Sequence, residues 1–138
     1  MSLVFHSRND ILVRTRDGRN VVLQEPLEVV TDKGARYRAP VGTESDGASI
    51  PKELWSTGLA PFGPYWLAAV LHDSSYRGTL ERQLEDGSWV KAMMPKDQCD
   101  LLLLDGMTAL GVEFALKEAI FEGVSHFGWR AFRTDRQG

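Results

Sequence analysis

Two short polar clusters in this sequence contain the residue types that acid–base or metal chemistry requires. The first is residues 45–51, Ser-Asp-Gly-Ala-Ser-Ile-Pro, and the second is residues 72–76, His-Asp-Ser-Ser-Tyr, which follow the apolar run 65–71. Ionisable groups beside apolar segments lose contact with water, so they must pair, bind a metal ion or change their proton affinity. These clusters are therefore the first candidates for a functional site.

The second cluster is expected to lie on a helix. Pro64 is suited to the first turn of a helix, and the sequence predicts that this helix runs to about Tyr76. The three-and-four spacing places Ala69, His72 and Tyr76 on one face, with Asp73 beside that face. His72 and Asp73 are adjacent, so they point about 100° apart and can share a centre only at the edge of a face.

A second predicted helix adds another carboxylate. Pro95 is expected to open it and Gly111 to end it. Asp100 lies on the apolar stripe of this helix, and an acid on a buried face is unusual. The other members of the stripe are Leu103, Leu104, Met107 and Leu110.

These residues are compatible with three kinds of site. As catalytic acid–base residues, the candidates are His72, Asp73, Asp46 and Asp100. As a metal site, His72, Asp73 and Asp100 would give a carboxylate-rich ligand set suited to zinc, magnesium or manganese. The chain has no His-Glu-x-x-His, Cys-x-x-Cys or Walker motif and three histidines in all, so the metal signal is weak. The third interpretation is structural, with His72 in a buried hydrogen-bonded pair with Asp46 or Asp100.

Three further residues are candidates for substrate contact, namely Ser49, Trp55 and Tyr76. Ser49 near a His and an Asp suggests Ser-His-Asp hydrolysis, but it lacks the Gly-x-Ser-x-Gly elbow, and a loop serine is more often a cap or turn former. Trp55 belongs to an aromatic-rich stretch that extends to Trp66. That stretch forms either a lid over the core or the wall of a site for a sugar or peptide.

The elements around these residues predict the fold class. Alternating apolar segments at 11–13 and 21–23, and again within 27–41, are typical of β-hairpins, and a smaller hairpin is expected at 80–93. A third helix is expected over about 113–132. Its core candidates are Phe114, Phe121, Val124 and Phe127. The sequence predicts an α+β fold in which N-terminal antiparallel β-hairpins pack against about three C-terminal helices.

Length and composition limit the remaining choices. With 138 residues, 43% of them hydrophobic, the chain is expected to form one domain covering residues 1–138. A net charge of -3 argues against a nucleic-acid partner, because phosphate binding usually needs a basic surface. Its single cysteine, Cys99, cannot form an intrachain disulfide, and no apolar run approaches the ~20 residues that span a membrane. The oligomeric state and the substrate stay open at this level.

The order of the motifs resembles a known family. Residues 45–51 are followed by Trp55, by the segment 61–73 that ends in Ala-Ala-Val-Leu-His-Asp, by Asp100 in a helix, and by Phe-Gly-x-x-Ala-aromatic at 127–132. This order, over nearly the whole chain, resembles the uncharacterised domain family DUF1353, which is common in tailed phages and bacterial prophages. The resemblance implies a phage or prophage origin, and the family supplies no settled reaction.

Two functions from different classes follow from the residues and the resemblance together. The first is a small hydrolase, with cell-wall material as candidate substrate, that uses the His and Asp residues either as acid and base or around a divalent metal. The alternative is a virion structural or assembly component of a tail or neck, in which the same residues hold the fold. The expected partners are phage virion proteins or a host-cell component, and the expected location is the host cytoplasm or the virion.

Overall fold

Short antiparallel strands make up the described N-terminal part of the chain, and three helices follow. The computed structural model describes residues 3–5, 13–15, 21–45, 65–129 and 132–133. The strands are β1 (Leu3–Phe5), β2 (Val13–Thr15), β3 (Val21–Leu23), β4 (Leu27–Thr31), β5 (Arg36–Ala39), β6 (Glu44–Ser45), β7 (Glu81–Gln83) and β8 (Trp89–Lys91). The helices are α1 (Trp66–Arg77), α2 (Lys96–Ala109) and α3 (Phe114–Phe127).

The strands form two antiparallel sheets. The larger sheet has the order β1-β4-β5-β7-β8, and the smaller has the order β2-β3-β6. All three predicted hairpins are confirmed, because β2 pairs with β3, β4 with β5, and β7 with β8. Gly34 and Gly87 lie in the turns of the last two hairpins with φ of 84° and 89°, where a side chain would strain the backbone. The α+β prediction is therefore correct.

The three helices pack side by side, and α1 is buried along most of its length. Gly78 ends α1 in the left-handed conformation, with φ of 72°. Where α2 passes α1, a Cβ added to Gly106 would lie 2.9 Å from the Cβ of Ala68, so the missing side chain lets the two backbones approach closely. This close packing brings the polar side chains of α1 and α2 within hydrogen-bonding distance.

Two apolar clusters surround these polar groups. The first joins the larger sheet to α1 and α2 and includes Leu27, Val29, Leu71 and Leu102. The second joins the three helices and includes Tyr65, Ala69, Leu103, Met107 and Ile120. The candidate site lies at the α1–α2 interface between these two clusters.

One detail of α3 differs from the prediction. The helix spans Phe114–Phe127 with Gly128 as its C-cap, and Trp129, Phe132 and Arg133 are again helical, which agrees with the predicted end near Phe132. Phe114, predicted to be in the core, has 69% of its surface exposed. The buried side of α3 runs through Leu116, Ile120 and Val124, which repeat every four residues. Val124 was a predicted core residue, whereas Phe114 lies on another side of the helix.

None of the helices in the described part of the chain combines the length and the apolar character that crossing a bilayer requires.

Candidate functional site

Asp100 is the centre of a buried polar network between α1 and α2. Its Oδ1 lies 2.9 Å from Nε2 of His72 and accepts a 2.6 Å hydrogen bond from the hydroxyl of Tyr76. Its Oδ2 accepts a 2.6 Å hydrogen bond from Nζ of Lys96. The side chain of Asp100 is 4% exposed. The prediction of an acid on the buried stripe is confirmed. Of the two partners that the sequence offered for a buried pair with His72, Asp46 or Asp100, the structure shows the contact with Asp100.

Burial and hydrogen bonding act in opposite directions on Asp100. Burial favours the protonated carboxyl and by itself would raise its pKa. The hydrogen bonds from His72, Lys96 and Tyr76 together outweigh that cost, so the pKa of Asp100 lies below its ordinary value. Asp100 is therefore ionised at neutral pH even though it is buried.

The ionised state of Asp100 determines the tautomer of His72. A carboxylate can only accept hydrogen bonds, so the hydrogen in the contact between them must be on Nε2 of His72. In the neutral imidazole, the lone pair is then on Nδ1. A histidine that a carboxylate holds in one tautomer and one orientation is the arrangement that general-base chemistry uses.

The spacing of residues within each helix builds this network. His72 and Tyr76 are four residues apart on α1, and their ring centroids are 4.1 Å apart. Lys96 and Asp100 are likewise four residues apart on α2. In addition, the hydroxyl of Ser75 donates a 2.6 Å hydrogen bond to the carbonyl oxygen of His72. The predicted shared face of Ala69, His72 and Tyr76 is confirmed, since all are buried.

The sequence did not identify Lys96, which is also part of this network. Its Nζ also donates to the carbonyl oxygens of Val124, at 2.7 Å, and Ser125, at 3.3 Å, in the last turn of α3. It lies 5.1 Å from the ring centroid of Trp129. The available signal was its position one turn before Asp100, because a buried carboxylate needs a counter-charge. Lys96 therefore connects Asp100 to the third helix.

Asp73 makes a separate contact at the edge of α1. Its Oδ2 accepts a 2.6 Å hydrogen bond from the hydroxyl of Ser45, the last residue of β6. Ser45 is fully buried, whereas Asp73 is half-buried. The sequence had not given Ser45 a role. The contact fixes the end of β6 against α1, so the first polar cluster begins beside the second.

An open groove lies next to this contact. It has a volume of about 360 Å³ and is lined by residues 40–44 with Arg77 and Thr79. A guanidinium nitrogen of Arg77 donates to the carbonyl oxygen of Glu44, which joins the two sides of the groove. Glu44 precedes Ser45 in the chain and Arg77 follows Asp73 by one turn of α1, so the groove is formed by the segments that flank this contact.

Three of the predicted site residues, Asp46, Ser49 and Trp55, lie outside the described residues, so their roles stay predictions. Tyr76, predicted to contact substrate, is 3% exposed and its hydroxyl is directed at Asp100. The structure thus brings together His72, Tyr76 and Asp100, while Asp73 bonds to Ser45.

The metal interpretation also stays a prediction. Within the described parts of the chain, no group of three His, Cys, Asp or Glu side chains is arranged to hold a metal ion. The ammonium of Lys96 lies 2.6 Å from Oδ2 of Asp100, and a divalent cation at that oxygen would be repelled by it.

Cys99 and His126, to which the sequence assigned no role in the site, have ordinary surroundings. Cys99 is fully buried, and its Sγ lies 3.7 Å from the carbonyl oxygen of Met94, as expected for a small packed residue. His126 is exposed on α3, with Nε2 3.3 Å from a carboxylate oxygen of Glu122. Since the side chain of His126 is exposed to solvent, it is a useful control for the buried His72.

Comparison with known proteins places the chain in a family. Residues 21–124 match the family described as Protein of unknown function (DUF1353), a range that includes His72, Asp73, Lys96 and Asp100. A segment of 41 residues is 49% identical to the uncharacterized protein y4jT of Sinorhizobium fredii, and it covers 29% of this chain and 12% of that protein. No solved structure matches the chain. Because the family match extends over well more than half of its length, the chain belongs to the DUF1353 family.

Proposed function

We propose that this chain is a small phage- or prophage-encoded hydrolase in which His72 is the general base and Asp100 orients it. The observation that carries the proposal is the buried 2.9 Å contact between Nε2 of His72 and Oδ1 of an ionised Asp100. The resemblance in motif order supports the phage or prophage origin. Cell-wall material is the candidate substrate, and the host cytoplasm or the virion is the place of action.

Each residue has a distinct task in this proposal. The Nδ1 lone pair of His72 takes the proton from an attacking water molecule, while Asp100 stabilises the imidazolium that forms. Asp73, half-buried at the edge of α1, is the second carboxylate and acts as the acid or as an electrostatic group toward substrate. Lys96 balances the charge of Asp100, which supports acid–base chemistry over a metal at that oxygen.

Hydrolysis of purified peptidoglycan tests the proposal. The measurement is the release of soluble fragments by the native protein and by His72→Gln, with His126→Gln as the matched control at an exposed histidine. General acid–base catalysis contributes roughly 10²–10⁴ in rate, so His72→Gln should lose at least about a hundredfold and His126→Gln should keep the native rate. Equal rates in all three proteins would refute the role of His72.

Elemental analysis separates acid–base from metal-dependent hydrolysis. The native protein and His72→Ala are purified without chelators, and their zinc, magnesium and manganese contents are measured. The acid–base proposal expects no stoichiometric metal in either protein. One metal ion per chain that is lost on mutation would instead support the ligand set His72, Asp73 and Asp100.

A second function is a virion structural or assembly component. The observation that favours it is that, in the described part of the chain, no buried side-chain nitrogen or oxygen lacks a hydrogen-bond partner. A network that is fully satisfied and connects three helices can serve the fold alone. Mass spectrometry of purified phage particles tests this function, and the chain should then be present in fixed stoichiometry with tail or neck proteins.

A further inference from the structure

Lys96 is a buried cation whose hydrogens are all engaged. Its side chain is 3% exposed, and Nζ donates to Oδ2 of Asp100 and to the carbonyl oxygens of Val124 and Ser125. An ammonium has three hydrogens, and these three acceptors match that number. Lys96 is therefore unsuited to be a nucleophile or base itself, and its effect must pass through the groups that it holds.

The carboxylate of Asp100 is held at both oxygens. Lys96 contacts Oδ2, whereas His72 and Tyr76 contact Oδ1. With Oδ2 fixed by an ammonium anchored to the end of α3, the carboxylate cannot rotate away, and Oδ1 stays directed at Nε2 of His72. A group that orients a catalytic side chain through a hydrogen-bonded neighbour acts by keeping the reactive geometry within a few tenths of an ångström.

We infer that Lys96 is a positioning residue of the site, which holds Asp100 so that His72 keeps one tautomer and one orientation. The catalytic importance of this role rests on the proposed function. The role of Lys96 in holding Asp100 and His72 in place does not depend on any substrate. It also assigns the last turn of α3 a role in the site, because the carbonyl oxygens of Val124 and Ser125 anchor the ammonium.

The first test uses NMR to monitor the hydrogen bond of His72 and needs no activity assay. Proton–nitrogen NMR of labelled protein detects the Nε2–H of His72, which exchanges slowly with water while Asp100 accepts its hydrogen bond. The variant Lys96→Met keeps the aliphatic stem and removes the ammonium. Lys117→Met is the matched control, because Lys117 also links α3 to α2, through a 3.2 Å hydrogen bond to Thr108, but lies on the surface.

The expected result is that Lys96→Met loses or shifts the resonance of His72 while Lys117→Met leaves it unchanged. An unchanged resonance in folded Lys96→Met would overturn the inference. If Lys96→Met does not fold, Lys96→Gln is measured in the same way; glutamine is one atom shorter than lysine and has two amide hydrogens, so it cannot hold Asp100, Val124 and Ser125 together, and an unchanged resonance would again overturn the inference.

The second test uses kinetics on peptidoglycan, if the native protein hydrolyses it. Lys96→Met should lower kcat at least about tenfold with KM changed less than about twofold, because it disturbs the chemical step and leaves substrate contacts in place. A native kcat in Lys96→Met would overturn the inference. A native protein without hydrolytic activity would refute the proposed function, and the NMR result would still decide the geometric role of Lys96.

Discussion

Asp100→Asn should destabilise the fold far more than a single conservative substitution usually does. The change keeps the shape of the side chain but removes its charge, so the ammonium of Lys96 stays buried, at 3% exposure, opposite a neutral amide. Removing one partner of a buried ion pair costs about 3–5 kcal/mol, because the remaining charge has lost its compensation. Domains are usually stable by only about 5–15 kcal/mol, so the expected loss is a large part of the total.

Denaturation with guanidinium chloride at pH 7 measures this loss. The matched control is Asp86→Asn, since Asp86 also accepts hydrogen bonds from its neighbour Ser88 but lies in the exposed turn between β7 and β8. The control should leave the unfolding free energy nearly unchanged. Removing an exposed ion pair lowers the free energy of unfolding by less than about 1 kcal/mol. A loss that small in Asp100→Asn would refute the argument that the pair is strong because it is buried.

A double mutant shows whether the cost comes from the unpaired charge. In Asp100→Asn combined with Lys96→Met, no ammonium is left without a counter-charge. The double mutant should therefore lose less free energy of unfolding than the sum of the two single losses. Additive losses would mean that Lys96 and Asp100 contribute independently, contrary to their 2.6 Å contact.

Three further predictions concern the same network. The lowered pKa of Asp100 stabilises the folded protein at pH values above the unfolded-state pKa of about 3.9. This stabilisation is lost as the pH falls through the lower folded-state pKa. Thermal melts across this pH range should therefore show a smaller drop in Tm for Asp100→Asn than for the native protein. Tyr76→Phe removes the 2.6 Å hydrogen bond to a charged acceptor and should cost about 1.5–3 kcal/mol in chemical denaturation, whereas a cost near zero would show that the bond adds nothing. Gly128→Ala would place a Cβ 2.7 Å from the hydroxyl oxygen of Tyr76 and should lower Tm. The control Gly123→Ala adds a Cβ on α3 where there is open space, so it should keep or raise Tm. Equal changes in Tm would contradict the steric argument.

Secondary-structure elements that are marked by short sequence patterns could be predicted well. The hairpin β4–β5 was recognisable from an alternating pattern and a glycine in its turn, and the register Leu27↔Ala39 agrees with it. The starts of α1 and α2 were recognisable from prolines, and both helices begin one or two residues after them. Local backbone preferences decide such features, so one sequence contains enough information.

Features that depend on packing were harder to predict. The aromatic residues of α3 suggested a core face through Phe114, yet its neighbours bury the side with Leu116, Ile120 and Val124. A helix with apolar residues around much of its circumference does not indicate which side its neighbours cover. Similarly, Gly128 after the end of α3 lies close to Tyr76 and Lys96 of the other helices, a contact that periodicity cannot show.

The candidate site was predictable in its acids and its histidine but not in its cation. Asp100 was conspicuous because a charge interrupted an apolar stripe, and the pairing with His72 was among the alternatives that the sequence offered. Lys96 was not conspicuous, because a lysine in the first turn of a helix is usually solvated. Yet a buried carboxylate needs compensation of several kcal/mol, and residues four positions away on the same helix are the nearest source. A lysine or arginine four residues from a buried acid is therefore a better candidate for the interior than its own side-chain type suggests. Here Lys96 makes a 2.6 Å contact that, together with the hydrogen bonds from His72 and Tyr76, keeps Asp100 ionised.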